Sequence, residues 1–342
     1  MEVTATAWVA TIAVIIVLLG VDLAVGALRP HAVGFAEATA WSVFYIAVAL
    51  AFGVVVGLVA GWDIGGQYFA GYLVEKSLSV DNLFVFVVIM STFAVPAEYQ
   101  QKALTFGIVM ALVMRAIFIA VGAALLQLFS FMFLVFGALL IWTAVQLYRH
   151  RDQDPEVEDN ALVRITRRVL PTTTEYQRGR LVARVGGRRV VTPLFIVLVA
   201  IGSTDLLFAL DSIPAVFGVT DEPYLVFTAN AFALLGLRAL FFLVQGLLDR
   251  LVYLSTGLAI VLAFIGVKLI LHWGHTLSDA VPEIPTLTSL VVIVAILAVT
   301  TVASLVRSRR DPAARAHAGS LRAHPTRQDA EPPADQRSGG GP

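Results

Sequence analysis

The sequence predicts an all-α polytopic membrane protein of about nine transmembrane helices. Three observations carry the prediction: the composition, a series of apolar stretches of spanning length, and the confinement of most charge to the connections. Of 342 residues, 58% are hydrophobic and 14% charged, and the mean hydropathy is +0.84. Soluble domains run at about 45–50% apolar and 25% charged. One soluble core cannot bury that excess, so a soluble enzyme is excluded.

Basic and acidic side chains, 24 of each, cancel to zero formal charge, so no global field recruits nucleic acid and none is expected as a partner. There is no cysteine. Disulfides, thiolate metal sites, iron–sulfur clusters and cysteine nucleophiles are thereby excluded, and a bound metal is left to oxygen or imidazole ligands.

A spanning helix needs about 20 mostly apolar residues. Such stretches cover 8–28, 40–61, 67–91, 102–122, 126–148, 192–217, 225–247, 251–272 and 286–306. The first lacks a basic leader, contains Asp22 and runs into Arg29 rather than a small-residue cleavage site, so it reads as a retained helix and not a signal peptide. Residues 149–191 break the series with ten arginines, six acids, Pro155 and Pro171, and read as one long loop. Residues 307–342 are rich in Arg, Pro, Gly and Ala and read as a disordered tail. The organisation is thus a first membrane half, 1–148; an Arg-rich cytoplasmic loop, 149–191; a second membrane half, 192–306; and a cytoplasmic tail, 307–342.

Basic residues mark the cytoplasmic side of short connections. With the Arg-rich loop inside, nine spans place the N-terminus outside and the C-terminus inside. Arg29, Lys102, Arg250 and the tail arginines then fall inside, while Asp63, Asp221, Glu222, His275, Asp279 and Glu283 fall outside. His272 and His275, at the outer end of one helix, read as interfacial residues.

The chain also repeats itself. EKSLSVDNLFVF from Glu75 and DLLFALDSIPAV from Asp205 share the form acid, five residues, acid, small polar residue: Glu75, Asp81, Asn82 against Asp205, Asp211, Ser212. Each is followed by an apolar span with one arginine, Arg115 in TFGIVMALVMRAIF and Arg238 in FTANAFALLGLRALFF. The predicted topology runs the third and sixth helices in opposite directions, so the segments around 67–122 and 192–247 read as an inverted repeat, an arrangement that transporters use for alternating access.

Eight ionisable residues lie within spans: Asp22, Glu75, Asp81, Asp205 and Asp211 with Lys76, Arg115 and Arg238. Each costs about 2.5–3.5 kcal/mol at a helix centre, so the set requires a polar interior. Five acids against three bases leaves two negative charges, which one divalent cation or two protons would neutralise. Residues six apart on a helix point about 240° from each other and residues seven apart share a face, so Glu75 pairs with Asn82 and Asp205 with Ser212. Ser77, Ser79, Asn82 and Pro214 make local unwinding of the third and sixth helices an expectation, with freed carbonyls as further ligands. Oxygen donors of this kind suit Mg, Ca and Mn. Lys76, Arg115 and Arg238 are the charge-pairing partners.

The segment EKSLSVDNLFVFVVIMSTFAVPAEYQQKALTFGIVMALVMRAIFI, together with STDLLFALDSIPAVFGVT and ANAFALLGLRALFFL, resembles the TerC/Alx family of integral membrane proteins, over roughly residues 8–275. That family is named for tellurium resistance, is grouped with LysE-type transporters, and includes exporters of manganese. The resemblance implies metal ligation by Asp22, Glu75, Asp81, Asn82, Asp205, Asp211 and Ser212. The expected function is therefore export of a divalent cation, Mn²⁺ the favoured ion, across a bacterial inner membrane with coupling to protons. Mn²⁺ is a transported substrate and no permanently bound cofactor is expected; the lipid bilayer is the environment, and a homo-oligomer or membrane complex a further partner. The alternative is a non-transporting scaffold in a metal or tellurite stress-response or protein-secretion complex. An intramembrane enzyme is not expected: His-Glu-x-x-His, Gly-x-Ser-x-Gly and a catalytic histidine within the spans are all missing from the sequence.

Overall fold

A computed structural model describes residues 3–28, 34–150, 161–173, 176–185, 188–244, 252–278 and 280–310. The described chain is almost wholly helical. In order come α1 (Ala5–Leu28), α2 (Phe35–Ala60), α3 (Trp62–Thr92), α4 (Ala97–Leu128), α5 (Met132–Arg149), α6 (Ala161–Val169), strands β1 (Val182–Val185) and β2 (Arg188–Val191), α7 (Pro193–Phe217), α8 (Pro223–Leu234), α9 (Leu237–Val244), α10 (Leu254–Leu277) and α11 (Thr286–Arg310).

Seven of these, α1, α2, α4, α5, α7, α10 and α11, are long and apolar enough to cross a membrane, and the bent pair α8 and α9 makes an eighth. The remaining expected span, 67–91, lies within α3. That helix has 31 residues, about 46 Å at 1.5 Å per residue, but Asp63, Glu75, Lys76 and Asp81 keep it from passing the same test of composition.

Burial separates inner from outer helices. About half of the span is buried in α10 and α7 (56% and 50%), against 17% in α1 and α11. Ile16, Leu58, Val59, Val121 and Val302 stay exposed, as lipid-facing residues must in a solvent as apolar as themselves. Such helices gain little from hydrophobic burial, so close backbone approach matters more. The most extensive contact, α5 against α10, has a reciprocal glycine pair at its centre. A Cβ on Gly137 would lie 2.7 Å from the Gly266 carbonyl oxygen, and a Cβ on Gly266 2.8 Å from that of Gly137.

Two expectations are corrected. The third and sixth helices do not unwind: α3 and α7 are continuous, with Ser77, Ser79, Asn82 and Pro214 all inside them. Their backbone polar groups are met within the helix, and Pro214 lies in the last turn of α7, where the chain is about to stop. The break falls instead in the expected span 225–247, at Leu235–Gly236 between α8 and α9, which bend by 43°. Gly236 has φ +78° and its Cα packs on Tyr45. The matching span of the first half, α4, is unbroken through Arg115.

The Arg-rich segment is likewise more than a loop. It holds α6 and an antiparallel β1–β2 hairpin in the register Val182 to Val191. Lys102 donates to the Gly179 carbonyl at 2.7 Å and Tyr176 to that of Phe93 at 2.6 Å, which ties the segment to one end of α3 and α4. The expected disordered tail begins inside α11, which runs to Arg310; residues 311–342 lie outside the described residues.

Candidate polar core of the membrane helices

Arg115 of α4 is fully buried and its fork gathers both halves of the chain. One terminal nitrogen donates to Glu75 Oε1 on α3. The other donates to Asp205 Oδ1 on α7 at 3.1 Å, and Nε reaches Oδ2 at 3.5 Å. The Asn82 amide, on one face with Glu75, lies between Arg115 and the Leu78 carbonyl; the orientation that satisfies both has its oxygen accepting from Arg115 at 2.9 Å and its nitrogen donating to Leu78 at 3.1 Å. The seven-residue spacing therefore does what helix periodicity dictates, bringing Glu75 and Asn82 to one guanidinium. A planar, permanently charged fork is suited to holding two carboxylates at once.

The other two bases are used differently. Arg238 of α9 pairs with Asp22 of α1 at 3.1 Å, and the Tyr45 hydroxyl donates to the same Asp22 oxygen at 3.2 Å. Lys76 donates to the Ala233 carbonyl at 3.1 Å. Ala233 lies in the last turn of α8, where carbonyls lose their helical partners and the helix dipole favours a cation. The paired arginine helices of the repeat are thus not equivalent: Arg115 takes the first acid of both motifs, and Arg238 takes Asp22.

That distribution leaves the second acids, Asp81 and Asp211, without a salt bridge among the described residues, although the Arg115 charge also reaches Asp211. They lie within electrostatic reach of each other, across α3 and α7. Asp81 is 7% exposed. Its Oδ1, together with Glu75 Oε2, Ser79 Oγ, Ser212 Oγ and Asn230 Nδ2, is buried without a hydrogen-bond partner. An orphaned buried polar atom costs about 1–3 kcal/mol, and these five sit on α3, α7 and α8, where α3 packs on both of the others. Among the described residues no three acidic or histidine side chains converge tightly enough to hold a metal ion in this arrangement.

A model of the family described as "Integral membrane protein TerC family" matches residues 60–312, which include α3, α4, α7 and the break at Gly236. The chain belongs to the TerC family. A membrane protein of Myxococcus xanthus is 43% identical over 91% of this chain and 95% of its own length. An Escherichia coli TerC relative, named as the membrane-bound redox modulator Alx, is 36% identical over 77% of this chain and 85% of its own. The Arabidopsis thaliana thylakoid membrane protein TERC is 44% identical over 66% of this chain and 59% of its own. No solved structure matches.

In this TerC-family protein three polar residues of the core escaped sequence reasoning as site members: Tyr45, Ser79 and Asn230. Asn230 had a legible signal, a lone amide in the apolar run of α8. Tyr45 had none, because its partner Asp22 lies on another helix and spacing along one helix does not show which neighbour a side chain meets.

Proposed function

We propose that this multi-pass membrane protein exports a divalent cation, Mn²⁺ the favoured ion, out of a bacterial cytoplasm across the inner membrane, with the N-terminus outside and the C-terminus inside. One observation supports the reading above the rest: Asp81 and Asp211, within electrostatic reach of each other from two helices, form no salt bridge among the described residues, while the three intramembrane bases bond directly to other partners. Unpaired carboxylates in a membrane interior are functional by default. Their carboxylate oxygens, with Ser212 Oγ as a neutral donor beside them, suit Mn²⁺ and other hard divalent ions. Asp22, Glu75, Asp205 and Asn82 are held by arginine in this conformation, so the cation's first contacts fall to Asp81, Asp211 and Ser212. Protons replace the departing cation as charge balance, because carboxylate ligands bind either a proton or a metal ion.

The arginine pairing of Glu75, Asp205 and Asp22 gives the rival scaffold reading its support, since paired charges are what a purely structural polar core would contain. A thiol redox role for this chain lacks its chemistry, as there is no cysteine. Uptake into inverted vesicles separates the readings. Mn²⁺ uptake that responds to an imposed pH gradient at fixed membrane potential is expected, with Zn²⁺, Ca²⁺ and Mg²⁺ as comparisons. Vesicles that move none of the four ions leave the scaffold. Asp81→Asn and Asp211→Asn should each reduce Mn²⁺ flux at least ten-fold with protein in the membrane unchanged; either variant at the wild-type rate removes that residue as a required ligand.

A further inference from the structure

The core contains a cation already. The fully buried Arg115 guanidinium fills the space between Glu75 and Asp205, the first acids of the two repeat motifs, and also engages Asn82. A small divalent ion such as Zn²⁺ or Mg²⁺ holds carboxylate oxygens at about 2.0–2.2 Å, so two oxygens on one ion lie within about 4.4 Å of each other. A guanidinium between the carboxylates, 3.1 Å from Asp205 on one side, occupies the volume such an ion would need. Fork and ion exclude each other at these two acids.

We propose that Arg115 is a resident counter-ion that competes with the exported cation for Glu75 and Asp205, lowering the site's affinity and driving release. The inference rests on the export reading above and adds how the ion leaves. Asp81 and Asp211 receive the cation; Glu75 and Asp205, six residues away on continuous helices and so on another face, take it over only as the fork withdraws, and the fork's return expels the ion. Two buried carboxylates with no competing charge would keep the ion and slow turnover. A guanidinium suits this task because it keeps its charge at any working pH and is weakly hydrated. Glu75 Oε2, buried and without a hydrogen-bond partner, is a donor atom that the fork leaves unused.

The two properties that Arg115 controls should move in opposite directions. In purified protein, Arg115→Gln should bind Mn²⁺ at least ten-fold more tightly than wild type, read by the loss of the free-ion electron paramagnetic resonance signal. In vesicles the same variant should slow net Mn²⁺ transport at least ten-fold while Mn²⁺-for-Mn²⁺ exchange continues. Adding Glu75→Gln should cancel most of the gain in affinity. An arginine that only braces the helices predicts the reverse, weaker binding with lost protein. Should Arg115→Gln fail to reach the membrane, Arg115→Lys, which keeps a charge but not the fork, should tighten binding at least three-fold. Variants that insert and bind Mn²⁺ no more tightly than wild type overturn the competitor role and leave export standing. A wild-type protein that neither binds nor moves a divalent cation overturns both.

Discussion

At Asp22 a charge is kept in an apolar bundle by two partners on two other helices, Arg238 and Tyr45. Asp22 and Arg238 are 5% and 6% exposed, so removing either leaves the other buried and uncompensated, at a cost of about 3–5 kcal/mol. Asp22→Asn or Arg238→Gln alone should therefore lower the melting temperature in detergent sharply, and the double variant should recover more than half of the loss. Recovery of Mn²⁺ flux along with stability in the double variant would show that Asp22 anchors α1 rather than ligating the ion. The sequence allowed either role for Asp22, because helix spacing orders residues along one helix and says nothing of partners across the bundle. For Glu75 and Asn82 the spacing was sufficient. Both lie on one helix, and their common face was legible before the identity of what faced it. Arg115 shows the limit most clearly: repeat logic assigned one arginine to each half, and the side-chain geometry gave both first acids to a single one.

Among the elements, the break between α8 and α9 departs furthest from expectation. Sequence reading placed unwinding beside the serines of α3 and the proline of α7, yet a serine in a helix can bond back to a carbonyl one turn earlier, as Ser77 does to Leu73 at 2.7 Å. Glycine at a positive φ has no such local remedy. At Gly236, φ is +78° and an added Cβ would approach Tyr45 to 2.7 Å. Gly236→Ala should cost more than about 1 kcal/mol from the backbone alone, with a further loss as Tyr45 shifts away from Asp22, and its melting temperature should fall below that of an alanine placed at Gly66, where nothing lies within 4 Å. Equal melting temperatures for the two would remove the claim that the break is conformationally fixed. Lys76 of α3 bears on the same break, since its side chain donates to the Ala233 carbonyl at the end of α8. Lys76→Met should loosen that end, giving faster amide hydrogen exchange over residues 231–235 than over 225–229.

For the whole molecule, the all-helical membrane class and the family were legible, because hydropathy and short motifs are properties of the chain itself. The hairpin at 182–191 was hidden by its arginines, which disguise strands as a solvated loop. The side of the membrane is set by proposal and has a direct test, made clean by the absence of native cysteine. Cysteines at the exposed Asp63 and at Glu222 should react with an impermeant thiol reagent from the periplasm, and one at the exposed Arg184 of β1 should not. Reaction at Arg184 from outside would invert the orientation, and with it the direction of transport. The glycine contact between α5 and α10 reaches further than packing. Two backbones packed this closely cannot slide or roll past each other without collision, so on the export reading this pair is the fixed strut of the bundle. On the export reading, motion falls to α3, α7 and α8, the helices that carry the unsatisfied polar atoms of the candidate core. A covalent tie between α5 and α10 should leave Mn²⁺ flux unchanged, whereas one between α3 and α7 should stop it.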